Sequence, residues 1–371
     1  VSDTAARLAE LEARGLRRRL APPVGRDLSS NDYLGLAHHP EVRRALIAAL
    51  EQGVPHGGTG SRLLTGEHPA WRALEERFAR WQGAEASLFH ATGFAANSGL
   101  LPALVQPGDR VLSDALNHAS LIDGIRLCRG ARVEILPHLD LPAVASALAA
   151  PWSGTTWLVT ESVFSMDGDQ ADLPTLAALV RQHHARWIVD EAHATGLYGP
   201  TGAGCIEESD VRDAVFASVH TAGKALGGAG AFVVGSRDLI DWLVQRSRPF
   251  VFSTAPAPFL AHGLDAALTL IQSDPERRRR PRQLADRLRV AIAGRLDPGA
   301  SSSHILPVLV GSVDRALHLQ QHLAGRGWEA RAIRPPTVPE DTCRVRLVLH
   351  ADLDEAEIDR LAADLLAWAA P

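Results

Sequence analysis

Residues 214–235 read AVFASVHTAGKALGGAGAFVVG, and this stretch decides the fold. Two apolar runs, 214–219 and 231–235, are separated only by a glycine-rich loop. A parallel connection needs a crossover of a dozen or more residues, usually a helix, so the second run is expected to return antiparallel. Upstream the pattern differs. Short apolar runs at 87–89, 110–113, 133–136, 156–160 and 187–189 read as strands, and helical patterns near 95–105, 116–128, 141–149 and 173–184 lie between most of them. That alternation is the signature of a parallel sheet with crossover helices. The expected class is α/β, with a mostly parallel seven-stranded sheet that contains one antiparallel strand.

Outward from this core lie an arginine-rich helical arm at 5–20, a polar stretch at 29–36, a helix near 40–51 and a glycine-rich loop at 57–66. From about Ala261 the chain reads as a helix, then strands near 305–310, 330–333 and 344–349, then a closing helix over 353–369. This is a smaller α+β domain. The division expected is an N-terminal arm (1–45), a large α/β domain (46–260) and a small C-terminal domain (261–371). The Arg277–Arg280 run reads as the solvated face of a helix.

Composition narrows the function. Lys and Arg total 38, yet only one of them, Lys224, is lysine. Either residue solvates a surface, but a Schiff base needs a primary amine that can lose its proton, which guanidinium cannot supply. The net charge of −5 argues against a nucleic-acid backbone or an anionic membrane as the main partner. No apolar run approaches the length of a membrane span, and the N-terminus lacks a signal-peptide core, so a cytoplasmic location is expected. Cys128, Cys205 and Cys343 are widely spaced and odd in number, which indicates neither a disulfide framework nor a metal knuckle.

In open α/β sheets, ligands bind outside the carboxyl ends of the strands. Five expected strand ends carry polar residues: Thr92-Gly93-Phe94, Asn117-His118, the 161–167 segment with Ser165, Asp190-Glu191-Ala192-His193, and His220-Thr221 with Lys224. Pyridoxal 5′-phosphate gives each a task. Lys224 holds the cofactor's aldehyde. Asp190 keeps the ring nitrogen protonated, unless it is merely a helix cap. His193 hydrogen-bonds the phenolic oxygen and His118 stacks on the ring, against the bland alternative that each is structural. Gly93 and Phe94 open a helix and offer backbone N–H groups to the phosphate, with the Thr221 hydroxyl beside them. Glycines 223, 227, 228 and 230 suit a close approach to a ligand and suit a tight turn equally.

Other classes fit less well. Asp190-Glu191-Ala192-His193 spells the second motif of a nucleic-acid-dependent ATPase, but Ser218 and Ala225 occupy the Gly and Ser/Thr positions that a phosphate loop ending at Lys224 requires. Gly57-Gly58-Thr59-Gly60 follows no strand and lacks the register of a dinucleotide site. No close His or Cys pairing suggests a metal.

The segments 30–36 (SNDYLGL), 117–120 (NHAS), 163–168 (VFSMDG), 189–196 (VDEAHATG) and 223–227 (GKALG) resemble the α-oxoamine synthases, a family of fold-type-I pyridoxal phosphate enzymes. The likeness spans nearly the whole chain. It implies a decarboxylative condensation of an amino acid with an acyl thioester, with Lys224, Asp190 and His118 as the catalytic group. Within the family, 160–165, 334–339 and 344–349 are most similar to the biotin-pathway branch, which implies L-alanine and a pimeloyl thioester on coenzyme A or acyl carrier protein. The alternative is a sister ligase that joins glycine to acetyl-CoA.

The resemblance also implies roles that spacing does not reveal. Arg346 clamps the amino acid's carboxylate with Asn31 nearby, Thr337 lines the substrate site, and Arg17, or its neighbours Arg18 and Arg19, approaches the acyl substrate. The family is homodimeric with the active site at the interface, so Ser253 and the loop holding Ser61 serve the neighbouring subunit. Leu63 stands where the 5-aminolevulinate branch carries Asn, which suits a methylene chain.

Overall fold

The computed structural model describes residues 2–370, which group by packing into two units. One comprises Leu34–Phe164 and Gln170–Arg279; the other combines the segment ending at Tyr33, the short segment Ser165–Asp169 and the chain from Arg280 onward.

The first unit is built on seven strands: β1 (Ala86–His90), β2 (Arg110–Asp114), β3 (Arg132–Leu136), β4 (Thr156–Glu161), β5 (Arg186–Asp190), β6 (Val215–Thr221) and β7 (Ala231–Gly235). Their order across the sheet is β1-β7-β6-β5-β4-β2-β3. Only β7 is antiparallel to its neighbours β1 and β6, as the short 222–230 connection requires. Central strands are apolar on both faces because helices cover both. Trp187, Ile188 and Val189 of β5 are all completely buried. Removing a side chain such as that of Ile188 would cost about 2–5 kcal/mol. The edge strand β3 shows the opposite character: Ile135 is 71% exposed, and Arg132 and Glu134 mark it with charge.

Helices start where caps demand. His118 accepts from Ser120 N, so the helix runs Ala119–Arg126 and begins three residues after the expected 116. Thr92 caps Gly93–Leu104 through Ala95 N. The helix Pro69–Trp81 is not among the expected elements, although its Trp71, Leu74, Phe78 and Trp81 are buried at helical spacing behind Pro69. It packs against the sheet through Phe78 stacked on Phe232, with ring centroids 3.9 Å apart.

The second unit carries an antiparallel sheet of β8 (Ile305–Gly311), β9 (Arg331–Ile333) and β10 (Cys343–Val348) in the order β9-β10-β8. Its core joins Leu28, Leu288, Leu319, Trp328, Val345 and Leu361, all completely buried. The arm helix ends at Ala13 rather than near 20, and Gly15 follows at φ +63°. The register between β8 and β10 shifts between Cys343, opposite Gly311, and Arg344, opposite Leu309, and a cis peptide joins Pro335 to Pro336. Ser165–Asp169 belongs here because Gly168 turns at φ +69° against Ile305, where a Cβ would meet the carbonyl oxygen at 2.1 Å. No helix among the described residues is long and apolar enough to cross a membrane.

Candidate active site

Within the first unit, the carboxyl ends of the parallel strands converge. Asp190 ends β5 and is 5% exposed. Its Oδ1 accepts from Ala192 N at 2.9 Å and its Oδ2 from Asn97 Nδ2 at 2.7 Å. Three residues on, His193 Nε2 lies 2.7 Å from Lys224 Nζ. Lys224 is half-buried in the turn after β6, where Gly227 adopts φ +62° against the backbone of Ala37.

His118 follows β2 and is fixed at both ends: its backbone N–H donates to Glu161 Oε1 at 2.6 Å, and its ring Nδ1 meets Ser120 Oγ at 2.7 Å. Burial lowers the pKa of His118, and the Lys224 charge adds to this while Asp190 opposes it. Glu161 is fully buried, and burial, reinforced by Asp190, raises its carboxyl well above the usual carboxylate range. Glu191, on the far side of Asp190, is pushed up by burial to about 7.

At the start of the helix Gly93–Leu104, nothing among the described residues accepts from the backbone N–H groups of Gly93 and Phe94. A Cβ on Gly93 would lie 3.8 Å from Thr221 Oγ1, so helix terminus and hydroxyl face one space. This is the donor set of a phosphate site. A buried carboxylate with no arginine partner, a primary amine and an anion cradle together fit pyridoxal 5′-phosphate: the ring nitrogen's proton answers Asp190, and the amine answers the aldehyde. Among the described residues no cluster suited to a metal is present.

Two loops of the same unit carry Ser61 and Ser253. Ala255 N donates to Gly60 O at 2.8 Å, and a Cβ on Gly58 would sit 1.9 Å from Ala255 O, so the loops are stitched together. Arg62 is buried and anchors its loop by pairing with Glu67 at 2.6 Å and with Glu75, whose Oε1 also accepts from Phe89 N. Leu63, Leu64 and Phe252 project 48%, 81% and 72% exposed on these loops.

Within the second unit, Arg346 on β10 is 6% exposed; its Nε donates to Ser165 O at 2.5 Å and its Nη2 to Asn31 Oδ1 at 3.0 Å. The Tyr33 hydroxyl donates to the same Asn31 oxygen at 3.1 Å. Burial raises the Tyr33 pKa, with Arg346 opposing it, so the phenol keeps its proton. The arm reaches Thr337 through Arg18 Nη2, 3.0 Å from Thr337 Oγ1, while Arg17 pairs with Glu12 at 3.3 Å. These arginines line a cavity of about 490 Å³ together with Arg331 and Arg334.

The sequence thus brings Lys224, His193, Asp190, His118, Gly93, Phe94 and Thr221 into one unit, and Arg346, Asn31 and Ser165 into the other. It does not single out Asn97, Ser120, Glu161 or Tyr33. Glu161 and Tyr33 lie inside quoted motifs, so a polar residue in a strand-end segment was their available signal; Asn97 gives none beyond a polar residue on an apolar helix.

Residues 25–365 match the family described as aminotransferase class I and II. The chain belongs to that family. Among curated members, it is 46% identical over 379 residues to the 8-amino-7-oxononanoate synthase of Anaeromyxobacter dehalogenans (strain 2CP-1), covering 98% of this chain and 94% of that one. It is 42% identical to the enzyme of the same name from Geobacter sulfurreducens, covering 97% and 96%. The serine palmitoyltransferase of Sphingomonas wittichii superposes with a TM-score of 0.90 at 27% identity, covering 99% of this chain and 96% of that one. The resemblance to α-oxoamine synthases carried by the motifs is borne out, as is the fold.

Proposed function

We propose that the chain condenses L-alanine with a pimeloyl thioester, on coenzyme A or acyl carrier protein, to give 8-amino-7-oxononanoate, carbon dioxide and the free thiol. The observation that carries this reading is the sole lysine at hydrogen-bond distance from His193, beside the buried Asp190. The substrate assignment is supported by relatives of that name at 42–46% identity along nearly the full chain.

Lys224 anchors the cofactor, and Asp190 holds a proton at its ring nitrogen by ion pairing. When bound, pyridoxal 5′-phosphate supplies an electron sink for the bonds broken at the amino acid's Cα. Gly93, Phe94 and Thr221 would donate to the phosphate and His193 would meet the phenolic oxygen, while Ser165 is assigned to the cofactor by the resemblance alone. Arg346 takes the substrate carboxylate in a charge-assisted pair, with Asn31 fixing the guanidinium. The Lys224 amine accepts the Cα proton and returns one after decarboxylation. His118 would hold the ring face of the cofactor and could donate a hydrogen bond to the thioester carbonyl. Thr337 and the arm arginines line the acyl site. Ser61 and Ser253 act across a homodimer, a reading supported by the exposed Leu64 and Phe252 beside them.

The test is direct. The purified chain, loaded with pyridoxal 5′-phosphate, is given L-alanine with pimeloyl-CoA and, separately, glycine with acetyl-CoA. Release of thiol and carbon dioxide in equal amounts from the first pair supports the proposal. Turnover of the second pair alone would overturn it.

A further inference from the structure

Asn97 is 1% exposed, on the helix Gly93–Leu104. Its amide nitrogen donates twice, to Asp190 Oδ2 at 2.7 Å and to Ser120 Oγ at 3.0 Å. Its Oδ1 is buried and has no partner among the described residues. Turning the amide over would set that oxygen against the Asp190 carboxylate, so the nitrogen must face it. The position leaves an acceptor unmatched in order to keep two donors, although an unmatched buried acceptor is destabilising.

The second donor holds the Ser120 oxygen in place. Ser120 Oγ accepts from Asn97, so its own proton is free to be given, and His118 Nδ1 lies 2.7 Å away. The backbone N–H of Ser120 also points at Nδ1, at 3.2 Å. The backbone N–H can only donate, so Nδ1 must offer a lone pair; the ring proton is left on Nε2, and the Ser120 hydroxyl is then the donor in its own contact with Nδ1. The lowered pKa of His118 agrees with a neutral ring.

We propose that Asn97 is a positioning residue with two outputs: it orients Asp190 toward the cofactor's ring nitrogen and, through Ser120, locks His118 as its neutral Nε2–H tautomer. The inference rests on the cofactor assignment above and deepens it. His118 then meets the acyl substrate as a hydrogen-bond donor at Nε2, and proton abstraction is left to Lys224.

Asn97→Ala, Asn97→Asp, Ser120→Ala and the Asn97→Ala/Ser120→Ala pair test this in the full chain. Affinity is read by absorbance titration with pyridoxal 5′-phosphate, alongside kcat and KM for L-alanine. Asn97→Ala weakens cofactor affinity about 10-fold, the usual effect of losing a hydrogen bond to a charged group. Ser120→Ala lowers kcat while affinity and KM stay within about twofold, and the paired variant's kcat loss falls short of the product of the single losses. Asn97→Asp is nearly isosteric, but two carboxylates at this distance must share a proton. Its affinity is therefore weak at pH 8 and recovers as pH falls, with a slope absent from Asn97→Ala. A purely structural asparagine would shift melting temperature without that pH profile. Affinities of both Asn97 variants within about twofold of the wild type, at every pH, would overturn the proposal. Because affinity is read without turnover, this inference and the substrate assignment fail separately.

Discussion

Lys224 Nζ and His193 Nε2 are 2.7 Å apart, within hydrogen-bond distance. At that separation one hydrogen lies between two nitrogens, so the amine and the imidazole cannot both present a proton to the other. In the role proposed for Lys224 an amine is required, and guanidinium cannot replace it. Lys224→Arg is expected to abolish turnover and the visible absorbance of the bound cofactor while the far-ultraviolet circular dichroism stays unchanged. A persisting absorbance band would remove Lys224 from its assigned role.

Arg346 is proposed to take the substrate carboxylate. Its guanidinium is braced by Asn31 and by the Ser165 carbonyl, and is directed rather than mobile. Arg346→Gln should raise KM for L-alanine about 10- to 100-fold, because a charge-assisted pair is lost, and leave KM for the thioester nearly unchanged. Steady-state kinetics with each substrate varied in turn decides this; equal rises in both KM values would argue against a carboxylate clamp.

Glu191 makes stability depend on pH. Burial raises its folded-state pKa from 4.5 to about 7. The folded chain therefore binds this proton more tightly than the unfolded chain does, and the stabilisation is complete below the unfolded value and lost as pH rises through about 7. The linked change is on the order of 3 kcal/mol. Glu191→Gln should flatten this dependence, so that the variant gains stability relative to the parent between pH 5 and 8; parallel urea-midpoint curves would exclude a buried proton on Glu191.

Leu63 lies 48% exposed on the loop anchored by the Arg62–Glu75 pair. An apolar residue there favours a methylene chain over a short dicarboxylate. Leu63→Asn is expected to reduce kcat/KM for pimeloyl-CoA by about 10-fold, the scale of one misplaced polar group, and to raise it for succinyl-CoA. An unchanged ratio between the two thioesters would sink the idea.

Much of the site was legible because cofactor chemistry restricts residue types. A single lysine, a carboxylate ending a buried strand and a glycine opening a helix are each visible in one dimension. The antiparallel β7 was legible for a similar reason, since the 222–230 loop is too short for a crossover. Asn97 and Glu161 were not, because their roles arise from partners far along the chain: Asn97 and Asp190 are 93 residues apart, and Glu161 and His118 are 43 apart. The arm helix was overestimated because arginines suit helix and extended chain alike, and the stop came from Gly15 instead. Arg18 rather than Arg17 meets Thr337, a distinction of side-chain direction that sequence spacing does not encode.

The stretch Ser165–Asp169 packs with residues up to Tyr33 and from Arg280 onward, although it is flanked on both sides by chain that belongs to the other unit. A nascent polypeptide would therefore carry the first two pieces of that unit unsatisfied until the last quarter of the chain is made. Nearly all of that unit's core, from Leu284 to Leu365, lies in this last piece, with Leu28 joining it from the first, so residues 280–371 expressed alone should collapse but fall short of the unit's full stability. Adding the 165–169 peptide in trans would supply one missing piece but not the arm, so recovery of that stability should demand both.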